Sequence, residues 1–140
     1  MKRFQFTLET ILELRLEEEQ EAEMILGKAM GEWNLLNDRK RERLAIREKN
    51  KGAFERQGAD FLQNGLYMAR IDQEIRNLEK EMESREEHLE ELREKYRAAR
   101  ARREGLDKLK EKRKEEHNEI RKRAEAHALD DLLNNMKKAN

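Results

Sequence analysis

The sequence predicts an all-α fold, an antiparallel two-helix coiled-coil hairpin in which the second helix is the longer. Three observations predict it. Apolar residues recur in alternating steps of four and three, 46% of the 140 residues are charged, and there is no proline. Counting from Ile71 in such steps reaches Ile75, Leu78, Met82, Arg85, Leu89, Leu92, Tyr96, Ala99, Arg103, Leu106, Lys110, Arg113, His117, Ile120, Ala124 and His127. Eleven of those 17 positions are apolar. A seven-residue period sustained this far keeps one helical face against a partner, because the helices supercoil. With 36% hydrophobic residues the chain cannot fill a globular core of its length, whereas a Glu-, Lys-, Arg-, Leu- and Ala-rich composition suits long helices. Disorder, the other outcome of high charge, would scatter the apolar residues instead of spacing them. Residues 1–140 therefore read as a single coiled-coil domain.

The first helix spans about residues 8–50. Thr7 is its expected N-cap, with Thr10 second because Glu13 follows it at capping-box spacing. Leu8, Leu12, Ala22, Leu26, Ala29, Trp33 and Leu36 form its seam, which Arg15, Glu19 and Lys40 interrupt. At ~1.5 Å per residue such a helix is on the order of 60 Å long. Regularity fails over about 51–65, where Gly52, Gly58 and Gly65 stand beside Asn50 and Asn64. These residues supply the positive φ that a chain reversal requires. The reversal is expected at Lys51–Gly58, with Asn64-Gly65 second and one continuous rod as the competing reading. The second helix spans about 59–136.

Charge favours the hairpin. Residues 9–23 hold seven glutamates against Arg15 alone, and residues 93–114 hold eleven basic residues against four acidic ones. Folding back near residue 55 sets the two stretches opposite each other, which selects antiparallel orientation more than it stabilises it. Helix two then outruns helix one. From about Gly105 it is expected to overhang, with Ile120, Ala124, Leu129, Leu132, Leu133 and Met136 as an apolar face among basic residues. Such a face fits helix-in-groove docking, the alternative being a solvated tail. Phe54, Phe61, Leu62, Leu66 and Tyr67 near the reversal read either as a second docking patch or as a small cluster closing the turn.

Several functions are not expected. Thirty-two basic residues balance 32 acidic ones, without the cationic excess that nucleic-acid binding uses. Cysteine is absent, and His88, His117 and His127 lack the spacing of metal ligands. His117 and His127 read instead as polar seam residues. Carboxylate runs such as Glu17-Glu18-Glu19 read as hydrated faces, so neither catalysis nor a cofactor is expected. No apolar run nears the ~20 residues of a membrane span and the N-terminus lacks a signal-peptide pattern, which predicts a soluble, intracellular protein.

The opening Phe4-x-Phe6-x-Leu8-x-x-Ile11-Leu12-x-Leu14-Arg15 resembles the start of the FliJ-type flagellar export proteins. Tyr96-x-x-Ala-Arg-x-x-Arg103 and the close Ala128-Leu129-Asp130-Asp131 are also similar to that family, so that the resemblance covers nearly the whole chain. It implies a non-enzymatic stalk like that of rotary F-type ATPases, cytoplasmic and peripheral at the inner face of the cell membrane, in flagellum biogenesis and with it chemotaxis. Family members insert the end carrying both termini into the hexameric export ATPase ring, contact the cytoplasmic domain of the export gate membrane protein, and bind export chaperones. Here the ring-facing end would comprise Phe4, Phe6, Leu8, Ile11, Ile120, Ala124, Leu129, Leu132, Leu133 and Met136. The gate-facing surface would comprise Trp33, Leu36, Phe61 and Leu66, although the first helix lacks the tyrosines that relatives carry. The free chain would be a monomeric hairpin. The alternatives are a chaperone for exported subunits, the stalk of a virulence type III secretion system, and a homodimeric scaffold.

Overall fold

The computed structural model describes residues 3–51 and 59–139, with side chains except at 59 and 60. Two helices account for nearly all of it: α1, Glu9–Lys49, of 41 residues, and α2, Ala59–Ala139, of 81. α1 starts without a threonine cap. The Leu8 carbonyl accepts from the Leu12 amide at 2.9 Å and the Phe6 carbonyl from the Glu9 amide at 3.1 Å, while the Thr7 hydroxyl is taken by Arg113 Nη1 at 3.2 Å. The far end is capped by Asn50, whose Nδ2 donates to the Ile46 carbonyl at 2.9 Å. Arg47 and Lys49 complement the helix dipole there. Of the two reversal candidates, Gly52 to Gly58 lies outside the described residues, and Asn64-Gly65 lies inside α2, where the helix continues unbroken.

The chain divides into two compact units, Glu21–Arg97 and Met1–Gln20 with Ala98–Asn140. In the first, α2 buries Met68, Ile71, Ile75, Met82, Leu89 and Leu92 toward α1, which presents Leu36 among half-buried Ala22, Leu26, Ala29 and Trp33. Ile71 is the most enclosed, at 2% exposure. The seam starts three residues earlier than the count from Ile71 finds, at Met68. Lys40–Glu79 (3.3 Å), Arg43–Glu74 (3.0 Å) and Arg47–Asp72 (3.3 Å) pair across the helices, with Arg85–Glu32 (2.9 Å) further along. Partner numbers fall on α2 as they rise on α1, so the helices are antiparallel, and the continuous rod is excluded.

In the second unit the order is the same: Glu9 meets Lys110 at 2.9 Å, and Glu19 meets Arg103. Along α1 the paired charges change from acid (Glu9, Glu19, Glu32) to base (Lys40, Arg43, Arg47), and along α2 from acid (Asp72, Glu74, Glu79) to base (Arg85, Arg103, Lys110). A parallel arrangement would set like against like. Most of these pairs are exposed and contribute only ~0.2–1 kcal/mol each, so together they select orientation more than they add stability.

Glu19 differs from the rest. It and Arg15 and Lys40 do not interrupt the α1 seam; they occupy it at the same four-three spacing. Glu19 is 7% exposed and bound through both oxygens, to Arg103 Nε at 2.6 Å and Nη2 at 3.0 Å. Arg103 Nη1 also donates to Asp107 at 2.9 Å. A bidentate fork of this kind is strong and directional. It also fixes register, because a slip of one heptad either way would set Arg103 opposite Leu12 or Leu26 and leave a seam charge unpaired. The hydrogen bonds from Arg103 hold the Glu19 carboxyl below the ordinary carboxylate range against the opposing effect of burial.

α2 does not overhang from Gly105. Leu106 and Lys110 are half-buried, the latter beside Glu9, and the non-helical arm Arg3–Leu8 runs on past α1 to reach Arg113 and His117. The exposed run begins at Glu119.

Three outcomes test this description. Ile71→Ala should lower unfolding free energy by about 2–5 kcal/mol in urea titrations, as expected for a truncated core side chain. Gly27→Ala and Gly31→Ala should each raise it by ~0.5–1 kcal/mol, since nothing lies within 4 Å of an added Cβ and helical glycine is costly. Glu19→Gln should be less stable than the parent at neutral pH. The Glu19 pKa is lowered on folding, so its contribution is complete above the ordinary value of about 4.3 and is lost as pH falls through the native value. The stability difference between variant and parent, followed by thermal melts, should hold from pH 8 to about pH 5 and shrink below about pH 4.

Candidate docking surfaces

The ring-facing candidates divide by environment. Phe6 is 7% exposed, because the arm runs on along α2 and lays its ring there, with the Arg113 guanidinium carbon 5.9 Å from the ring centroid. Phe4 is half-buried with its ring 5.7 Å from that of His117, and Leu8 is half-buried at the start of α1. These separations are those of aromatic and cation–π contacts. Ile11 faces solvent on the flank of α1.

Ile120, Ala124, Leu129, Leu132, Leu133 and Met136 are all exposed, and none of the described residues from Glu119 to Ala139 is buried. The structure therefore brings Phe4 and Phe6 onto α2, with Leu8 half-buried beside them, and leaves the last six exposed. Around them the Arg121–Glu125 pair, at 3.8 Å along the same helix, is weak.

The histidines separate in the same way. His117 is a seam residue, as its spacing predicts, but the arm covers it and not α1 itself. His127 is exposed, against the expectation that it lies in the seam, because the covering elements end before it.

Among the gate-facing candidates, Leu36 is 5% exposed and belongs to the seam, and Trp33 is half-buried there. Phe61 and Leu66 lie on the first turns of α2, with Leu66 75% exposed. Leu62 and Tyr67 are exposed beside them, and Phe54 lies outside the described residues. The Trp33 indole N–H is shielded from solvent and has no acceptor among the described residues. It borders a hollow of about 190 Å³ lined by Met30, Asn34, Glu86, Leu89 and Arg93.

Seam counting misses the apolar residues of α1 that lie off the seam: Leu14, Leu16, Met24, Ile25, Met30, Leu35 and Leu44 are exposed. The sequence does carry a signal for four of them. Residues 24–37 hold only two charges, Lys28 and Glu32, in a chain that is 46% charged. Spare apolar residues in so charged a chain mark contact surface more readily than scattered ones do.

No helix among the described residues is long and apolar enough to cross a membrane. The arrangement leaves apolar side chains exposed along the faces of both helices and at one helix end. The family described as Flagellar FliJ protein, FliJ, matches residues 4–137 of the chain. No curated protein and no solved structure matches it. A match over nearly the full length, on a two-helix hairpin, settles the assignment: the chain belongs to the FliJ family and is a component of the flagellar protein export machinery.

Proposed function

We propose that this protein is the non-enzymatic stalk of the flagellar export apparatus, which inserts its α2 end into the hexameric export ATPase and bridges it to the cytoplasmic domain of the export gate. The observation that carries this reading is the uncovered end of α2, where Ile120, Leu129, Leu132, Leu133 and Met136 stand exposed on a continuous helix. A helix with exposed apolar side chains gains by lying in a groove, and a hexameric ring offers one along its axis. Phe4, Phe6, Leu8 and Ile11 lie on the unit that bears this end, with Ala124 among the exposed residues beyond it. The gate-facing surface is carried by Trp33, Phe61 and Leu66, with Leu36 supporting Trp33 from the seam. Export chaperones use the remaining exposed apolar residues of α1. The protein works in the cytoplasm against the inner face of the membrane at the flagellar base, and the free chain is a monomeric hairpin.

Stimulation of ATP hydrolysis by the purified export ATPase, together with pull-down of the gate's cytoplasmic domain, tests the reading. The full chain should stimulate and should be retained by both partners. Leu129→Lys with Leu132→Lys should weaken ATPase binding by about tenfold or more, the scale for losing an anchoring apolar side chain, and leave the thermal midpoint unchanged. If removal of residues 120–140 leaves stimulation intact, the α2 end is not the docking element.

A further inference from the structure

We propose that the arm Arg3–Leu8 is an exchangeable strap. In the free chain it closes on α2 at Lys110–His117, and it leaves when the export ATPase takes the end of α2, carrying the Phe4 and Phe6 rings to that partner. The inference rests on the ring-docking reading above and adds a conformational step to it.

Four features distinguish the arm from the seam it extends. Its backbone is tethered by few bonds: Phe6 offers its carbonyl to Glu9, Leu8 starts the helix, and the rest is held by side chains. Its floor on α2 is polar. Lys110, Arg113 and His117 replace the apolar residues of the earlier seam, so opening the arm strips no aliphatic residue of α2, and the apolar surface it uncovers is that of the Phe4 and Phe6 rings themselves. The same step at Ile71 or Leu89 would expose aliphatic surface. Third, solvent reaches the arm from one side, for an open hollow of about 450 Å³ is lined by Phe4, Gln5, Phe6, Glu9 and Lys110.

Fourth, the arm lies directly before the uncovered stretch. His117, under the Phe4 ring, is two residues from Glu119, where the exposed run begins. A partner groove that advances along α2 from its end meets the arm first. The arm's two rings are then the nearest large apolar side chains that can move without breaking α1, which starts at Glu9. The Glu19–Arg103 pair stays in place and keeps the register of the remaining seam while the arm is open.

The first test uses the full chain with para-fluorophenylalanine at its phenylalanines, the fluorine signals assigned from Phe4→Leu and Phe6→Leu. In a urea series, both ring signals should reach their free-chain positions while far-UV circular dichroism still reports full helix, the pattern of local opening at low cost. Coincidence of the ring transition with loss of helix overturns the strap.

The second test exploits the absence of cysteine. Gln5→Cys with Lys110→Cys places two thiols across the same hollow. Joined by a short bismaleimide they hold the arm closed, and capped separately with N-ethylmaleimide they leave it free. The linked form should stimulate the export ATPase about tenfold less than the capped form, because its binding-competent fraction has been removed. Equal stimulation by the two forms overturns the strap. If the unsubstituted chain fails to stimulate at all, the ring-docking reading fails, and the fluorine experiment still decides whether the arm exchanges.

Discussion

A helix of 81 residues cannot bury its own apolar stripe, and the partner that this chain supplies has 41 residues. Everything else follows from that inequality. Where α1 is opposite, α2 keeps apolar residues at nearly every seam position and encloses Ile71, Ile75, Leu89 and Leu92. Where α1 ends, the seam positions become Lys110, Arg113 and His117, residues that tolerate water and still accept a neighbour. Beyond them α2 is exposed all round. Helices of that kind draw stability from packing more than from propensity, so the exposed end is held as a continuation of a helix anchored elsewhere.

Electrostatics decides arrangement more than it adds stability. The reversal of sign along each helix makes only the antiparallel pairing consistent, through pairs that are individually weak. Glu19–Arg103 acts differently, since both groups sit on the seam and satisfy each other through two hydrogen bonds. A pair in that position adds little over two leucines, yet it penalises every register but one. In an extended seam with few bulky side chains, that selectivity is what an apolar pattern alone fails to provide.

Membership of the FliJ family connects this construction to protein export, and the surfaces agree with a chain that works by contact. Exposed apolar residues occur on the uncovered end of α2, on its first turns, and on the outward faces of α1. The backbone at Gly27 and Gly31 is open as well, because the fold would accept a side chain at both.

Periodicity, composition and charge by themselves determined the two helices, their antiparallel sense and the longer α2, since each of these depends on spacing or on sign, which a linear sequence displays. The opening Phe4-x-Phe6 motif marked the family but not where its rings lie. The tertiary structure alone decided that Thr7 is not a cap, that Arg15, Glu19 and Lys40 belong to the seam, and that His117 is covered while His127 is not. The physical reason is distance along the chain. What a polar residue of a helix does depends on the group it meets, and that group is 84 residues away for Glu19 and 106 for Thr7. Which of them meet is a property of register, and register is set only when the two helices pack.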